Sequence, residues 1–118
     1  MALSKDYVTK EPVREEIDAL IAPTVLEFGT PWCGYCQEAQ PLVASAFADY
    51  PEVTHIKVED GRGRPLGRSF GVKLWPTFVF LKGGREVARL VRPQGQAAIG
   101  AALRLIADHG DGEVKKGR

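Results

Sequence analysis

The chain has two cysteines, Cys33 and Cys36, set two residues apart where a short β-branched run gives way to a helical one. Thr24 to Phe28 (TVLEF) is β-branched and aromatic without clean alternation, which suits a central strand covered on both faces. From Cys33 a helical pattern runs through Leu42, Val43, Ala46, Phe47 and Tyr50, with Pro41 inside it as a kink. A buried strand feeding a helix at its first cysteine demands further strands beside it and helices to cover them. Two cysteines cannot build the disulfide framework of a small secreted scaffold, so the spacing points to metal binding or redox chemistry. A closed zinc site takes four ligands. Here only His55 and His109 remain to complete one, and His109 lies at the edge of a polar tail. The expectation is no metal and no bound cofactor.

The remaining elements can be read in order. Tyr7 to Thr9 allows a short strand, and Pro12 sits where the first turn of a helix is expected, with Val13, Ile17, Leu20 and Ile21 on its apolar face until Pro23 ends it. Val53 to Glu59 alternates as a half-buried strand does, and a Gly/Arg loop from Gly61 to Pro65 leads into a helical turn carrying Leu66 and Phe70. Thr77 to Leu81 and Glu86 to Val91 read as strands joined by a four-residue loop, Lys82-Gly83-Gly84-Arg85. A last helix spans about Gln96 to Ala107, with Ile99, Ala102, Leu103 and Ile106 on one face. Strands alternating with helices imply parallel crossovers, and the late hairpin adds an antiparallel pair. The fold class is therefore α/β, with a mixed central sheet of four or five strands and helices on both faces. Residues 1–109 form one domain in this reading, and 110–118 a disordered tail.

Composition removes several functions. With 118 residues the chain is long enough to bury a core without staples. Its 16 basic residues are dispersed among 15 acidic ones, giving a net charge of +1 without the basic stripe that nucleic acid requires. Met1 to Glu16 holds no apolar run of the length a signal peptide or membrane span needs, so a cytoplasmic location is expected.

The position of the cysteines suggests their chemistry. A thiolate at a helix N-terminus faces unpaired backbone N–H groups and the positive end of the helix dipole, and both stabilise it. Cys33, ahead of the first full turn, is the expected exposed nucleophile; Cys36, one turn inward, is placed to attack a mixed disulfide from behind. Pro76 heads an otherwise buried strand, where a proline cannot donate to the ladder. Taken locally, a trans Trp75–Pro76 bond is the expected form.

Phe28-Gly29-Thr30-Pro31-Trp32-Cys33-Gly34-Tyr35-Cys36, Pro41, Phe70-Gly71-Val72, Pro76-Thr77 and the Gly-Gly hairpin together resemble the thioredoxin family in order and spacing, from about Val25 to Ile106. The resemblance implies a thioredoxin-like fold, a reactive Cys33, a resolving Cys36, a cis Pro76 beside them and Trp32 flanking a substrate groove. It places Glu27 where the family has a buried aspartate and His55 near the lysine that accompanies that acid. Arg92 falls in the third loop of the groove, and with Gly34, Tyr35 and Trp75 it completes the expected substrate contacts. Three departures stand out. Tyr35 replaces the proline usual in thioredoxins, so that Cys-Gly-Tyr-Cys is similar to the active site of periplasmic disulfide isomerases. Gly29 replaces a second tryptophan, and Trp75 replaces a smaller aliphatic residue, which would let one aromatic fill the space the other vacates.

The resulting expectation is a thiol–disulfide oxidoreductase acting on disulfide-containing proteins, as a reductase supplied with electrons by a thioredoxin-reductase-like donor. Glu27 would take a proton from Cys36 through water. The chain would work as a monomer, without nucleic acid or membrane. The alternatives are a disulfide isomerase or oxidant, which Tyr35 favours, and a non-catalytic binding module.

Overall fold

The computed structural model describes residues 6–107, and the tail expected from 110 to 118, like His109, lies outside the described residues. In chain order the elements are α1 (Arg14–Asp18), β1 (Thr24–Gly29), α2 (Gly34–Phe47), β2 (Thr54–Glu59), α3 (Pro65–Ser69), β3 (Thr77–Lys82), β4 (Arg85–Val91) and α4 (Gln96–Ile106). One four-stranded sheet has the order β2-β1-β3-β4, with β1 and β2 parallel and the other two pairs antiparallel. This is the mixed α/β sheet that the strand and helix order implies.

Alternation along the two central strands builds a core on each face. Val25, Phe78 and Phe80 point toward α2 and α4, where they meet Val43, Phe47, Ile99, Leu103 and Ile106. Leu26, Phe28, Val79 and Leu81 point the other way, against Ile17 of α1, Leu66 of α3 and Phe70. Phe28, Phe78 and Phe80 are fully buried; truncating one such ring to alanine typically costs about 3–5 kcal/mol. The covered sheet fixes the end of β1, and hence the place where the cysteines begin.

Several elements are shorter than their sequence pattern suggests. α1 is a five-residue helix, with Val13 as its N-cap and Pro12 ahead of it. So short a helix turns only Ile17 fully inward, leaving Val13 and Ile21 56% and 88% exposed. Arg14 ties it to α3, donating to the Ser69 carbonyl at 2.7 Å with its guanidinium 3.8 Å from the Phe70 ring centroid. α2 ends at Phe47, and Tyr50 packs half-buried beyond it. The strand expected at Tyr7 to Thr9 contracts to one parallel bridge, Tyr7 with Lys57, reinforced by Val8 N–H donating to the Lys57 carbonyl at 2.9 Å. Its neighbours Asp6, Thr9 and Lys10 are exposed and give a longer strand nothing to bury.

The hairpin loop is tighter than four residues. Lys82 pairs with Arg85, so Gly83 and Gly84 alone make the turn, with φ of 59° and 78°. Two successive positive φ values are the requirement of a type I′ turn, which glycine meets without steric cost. A side chain at Gly84 would also run into the backbone carbonyl of Asp18.

The alternation along β2 buries polar side chains as well as apolar ones. Val58 and half-buried Ile56 face the α1 side, yet His55 and Lys57 on the opposite side are each only 5% exposed. Register explains it: Val25 pairs with His55 and Glu27 with Lys57, so all four side chains share the face covered by α2.

Candidate functional site

The parallel β1 leaves the sheet at Gly29, and Thr30-Pro31-Trp32 carries the chain to the N-cap of α2, which is Cys33 itself. An extended backbone at Cys33 (φ −84°, ψ 119°) turns its sulfur back over the helix, where Sγ accepts a hydrogen bond from the Cys36 N–H at 3.2 Å. That amide is one of the N–H groups a helix cannot satisfy internally. Cys33 is 8% exposed and Cys36 2%. The nucleophile expected to be exposed is therefore itself buried, with Cys36 more deeply so. Both thiols are free. Burial pushes the Cys36 thiol up to about 12, helped by its hydrogen bond to Cys33 and by the charges of Cys33 and Glu27, against the lowering effect of the Thr30 N–H.

Five residues frame the opening: Trp32, Tyr35, Trp75, Pro76 and Arg92. Trp32 and Tyr35 are 71% and 56% exposed. Trp32 meets Trp75 edge to face, with ring centroids 5.6 Å apart. The Trp75–Pro76 bond is cis, as the resemblance implies and local sequence does not. Arg92, in the left-handed region at φ 50°, binds this loop twice: its Nε donates to the Trp75 carbonyl at 2.7 Å and its amide to the Pro76 carbonyl at 3.0 Å. Its guanidinium also lies 3.8 Å from the Tyr35 ring centroid. Beside the Tyr35–Arg92 contact runs a groove of about 270 Å³ lined by Tyr35, Leu42, Pro76, Arg92 and Pro93. Gly34, at the start of α2, has open space on its side-chain side. The structure thus brings together Cys33, Cys36, Trp32, Tyr35, Trp75, Pro76 and Arg92.

Glu27 lies beneath, with no exposed surface. Its Oε1 is 2.8 Å from His55 Nε2, and its Oε2 accepts from Gln40 Nε2 at 2.8 Å. Gln40 also donates to the Cys36 carbonyl at 2.7 Å and accepts from Lys57 Nζ at 3.2 Å. A chain of polar contacts therefore joins β2, β1 and the turn of α2 that holds Cys36.

Sequence reasoning missed three residues. Gln40 is one helical turn beyond Cys36, and that i, i+4 spacing is a signal that could have found it. Asp60, just after β2, accepts from the Trp75 indole N–H at 2.9 Å. Tyr7 has no local signal, because it reaches the site only through the sheet. A Cβ built on Gly29 would lie 2.5 Å from Cys36 Sγ and 3.2 Å from the Tyr7 hydroxyl. Those two groups are the nearest to the space that a tryptophan at position 29 would enter, whereas Trp75 packs on Trp32. Among the described residues, no group of three His, Cys, Asp or Glu side chains is arranged to hold a metal ion.

Comparison with known proteins agrees with this geometry. The thioredoxin family model matches residues 5–104. Thioredoxin H-type 1 of Nicotiana tabacum is 36% identical over 67 residues, which cover 57% of this chain and 53% of that protein. Thioredoxin H5 of Oryza sativa subsp. japonica is 30% identical over 91 residues, covering 77% of this chain and 67% of that one. The chain thus spans about half to two thirds of the length of these curated relatives. The solved structure of reduced thioredoxin 2 from Pseudomonas aeruginosa PAO1 is 59% identical, with a TM-score of 0.79 over 88% of this chain and 96% of that one. With the fold, the dithiol at the start of α2, the cis proline beside it and a family model spanning almost every described residue, the chain belongs to the thioredoxin family.

Proposed function

We propose that the protein is a thiol–disulfide oxidoreductase that reduces disulfides in protein substrates. The carrying observation is the asymmetry of the dithiol: Cys33 accepts a helix-terminal amide, and Cys36 is more deeply buried with its thiol pushed up to about 12. The Cys33 thiolate attacks one sulfur of a substrate disulfide; a Cys33–substrate bond forms, and the other substrate sulfur leaves as a thiolate that takes a proton from water. Cys36 gives its proton toward Glu27 and attacks Cys33, forming the intramolecular disulfide as the second substrate thiolate departs. Two electrons pass to the substrate. A thioredoxin-reductase-like donor returns the protein to its dithiol form.

The substrate lies extended across Trp32, Gly34, Tyr35, Trp75, Pro76 and Arg92, with its backbone beside Pro76 as an added strand. A monomer in the cytoplasm suits this role, since a dithiol kept reduced needs a reducing compartment. Among the described residues, no helix is long and apolar enough to cross a membrane. Neither a cofactor nor a metal enters the reaction.

Reduction of insulin by the wild type, abolished in Cys33→Ser, tests the activity. Equal rates for the two proteins would leave a binding module as the remaining reading. A glutathione titration separates reductase from isomerase. Tyr35 leaves the first turn of α2 without the proline constraint, which favours the Cys33 thiolate and the reduced state. The expected potential is less negative than the roughly −270 mV of thioredoxin but well below the roughly −120 mV of a strong oxidant. Tyr35→Pro should make the protein more reducing; a change in the opposite direction would overturn this role for Tyr35.

A further inference from the structure

We propose that the hydroxyl of Tyr7 is a catalytic hydrogen-bond donor to Cys36, stabilising the thiolate on which the resolving step depends. This rests on the reductase reading above. Two observations converge on one place. Gly29 has no side chain, and the point where its Cβ would stand is 2.5 Å from Cys36 Sγ and 3.2 Å from the Tyr7 hydroxyl oxygen. Any larger residue at position 29 would separate or displace these two groups. The Tyr7 ring is clamped from outside the active-site loop, by its bridge to Lys57, by the Val8 to Lys57 backbone hydrogen bond and by Lys57 Nζ at 4.6 Å from its centroid.

The polarity of the contact follows from the acids involved. Burial raises the Tyr7 phenol above its ordinary range, and the neighbouring Cys36, Glu27 and Cys33, together with its hydrogen bond to Cys36, hold it protonated. A phenol that keeps its proton donates it in a hydrogen bond to the sulfur. The other groups acting on Cys36 are Cys33 at the N-cap of α2, Glu27 on β1 and the Thr30 N–H. Only the Thr30 amide among these favours the thiolate. Tyr7 supplies the second donor, on the opposite strand edge from the substrate groove.

The step balances without consuming the tyrosine. The Cys36 proton passes toward Glu27. As the thiolate forms, the Tyr7 O–H points its hydrogen at the new negative charge. Cys36 sulfur then bonds to Cys33 sulfur, the Cys33–substrate bond breaks, and the electron pair leaves with the substrate thiolate, which is protonated by water. Tyr7 keeps its proton throughout.

Tyr7→Phe removes the hydroxyl and retains the ring that packs on Lys57. In a Cys33→Ser background, where Cys36 is the remaining thiol, the pH midpoint of its alkylation by iodoacetamide should rise by about one unit in Tyr7→Phe, the scale of one hydrogen bond to a charged group. In the full dithiol protein, release of a mixed disulfide should slow about tenfold, while its formation by Cys33 stays within a factor of about two of wild type. Should Tyr7→Phe fail to fold, 3,5-difluorotyrosine placed at position 7 gives the converse test, because its more acidic phenol is a stronger donor and should lower the midpoint. An unmoved midpoint, or an unmoved release rate, overturns the proposal. The alkylation readout does not depend on turnover, so it stands apart from the insulin assay: loss of insulin reduction without a midpoint change would count against the tyrosine alone, and absence of insulin reduction in the wild type against the reductase reading.

Discussion

The indole N–H of Trp75 donates to Asp60 Oδ2 at 2.9 Å, so the residue that precedes the cis proline is tethered to the loop leaving β2. Trp75 in turn supports Trp32 at the edge of the dithiol, and its carbonyl receives Arg92. One residue thereby links the loop after β2, the Trp32 ring and Arg92. Trp75→Phe keeps an aromatic ring and deletes the donor, leaving the Asp60 carboxylate short of a partner. A stability loss of about 1.5–3 kcal/mol is expected, as for a hydrogen bond to a charged group. Urea denaturation measures it, and an unchanged midpoint would show that the tether carries no weight.

The asymmetry of the two thiols sets a labelling order. Brief treatment of the reduced protein with iodoacetamide near pH 7 should modify Cys33, because Cys36 is 2% exposed and its thiol is pushed up to about 12. Peptide mass spectrometry reads the result. Preferential modification of Cys36 would reverse the assigned roles.

His55 and Glu27 meet with neither side chain exposed. Removing one partner of a buried pair leaves the other desolvated and unsatisfied, so His55→Ala should destabilise the protein by about 3 kcal/mol or more. Gln40 still holds one oxygen of Glu27, and a cost below about 1 kcal/mol would mean that Gln40 suffices. Thermal and urea unfolding of the two proteins give the comparison.

Alkaline stability follows from two raised acids. The unfolded chain releases the Cys36 proton near 9.0, while the folded chain holds it to about 12. Tyr7 behaves in the same sense, from an ordinary 10.0 upward. Between these values the unfolded state binds fewer protons than the native state, so stability must fall as pH rises. Reduced protein should lose urea resistance from about pH 9 upward, and Cys36→Ser should flatten the first part of that decline. A stability that holds level from pH 9 to 11 would contradict the raised thiol.

The sheet, its helices and the dithiol were legible because each depends on local pattern. Thr24 to Phe28 declares a doubly covered strand, Ile99 to Ile106 an amphipathic helix, and Cys33 the junction between strand and helix. Contacts set by register were not. Nothing near Tyr7 indicates that its hydroxyl reaches Cys36, because the two are brought together by a bridge to Lys57 that no short window contains. His55 was legible only through the resemblance that sets it near the buried acid, and Lys57 gave no signal, because their polar partners, Glu27 and Gln40, sit on neighbouring elements. Val13 and Ile21 show the reverse error: helical spacing promised burial, but a helix that stops at Asp18 cannot carry the period that far. The cis bond at Pro76 was accessible through resemblance alone, since local preference favours trans.

The two outer strands bear on how the molecule tolerates crowding. Strand β4 carries Arg85, Glu86 and Arg89 on a largely accessible edge, with the Arg89 guanidinium donating to Glu86 at 2.7 and 2.8 Å. A second sheet adding there would have to strip water from these charges. At the far side, β2 is capped by Tyr7 and Val8 through Lys57. Edge-to-edge polymerisation is thereby discouraged at one border by charge and at the other by a short piece of the chain's own backbone.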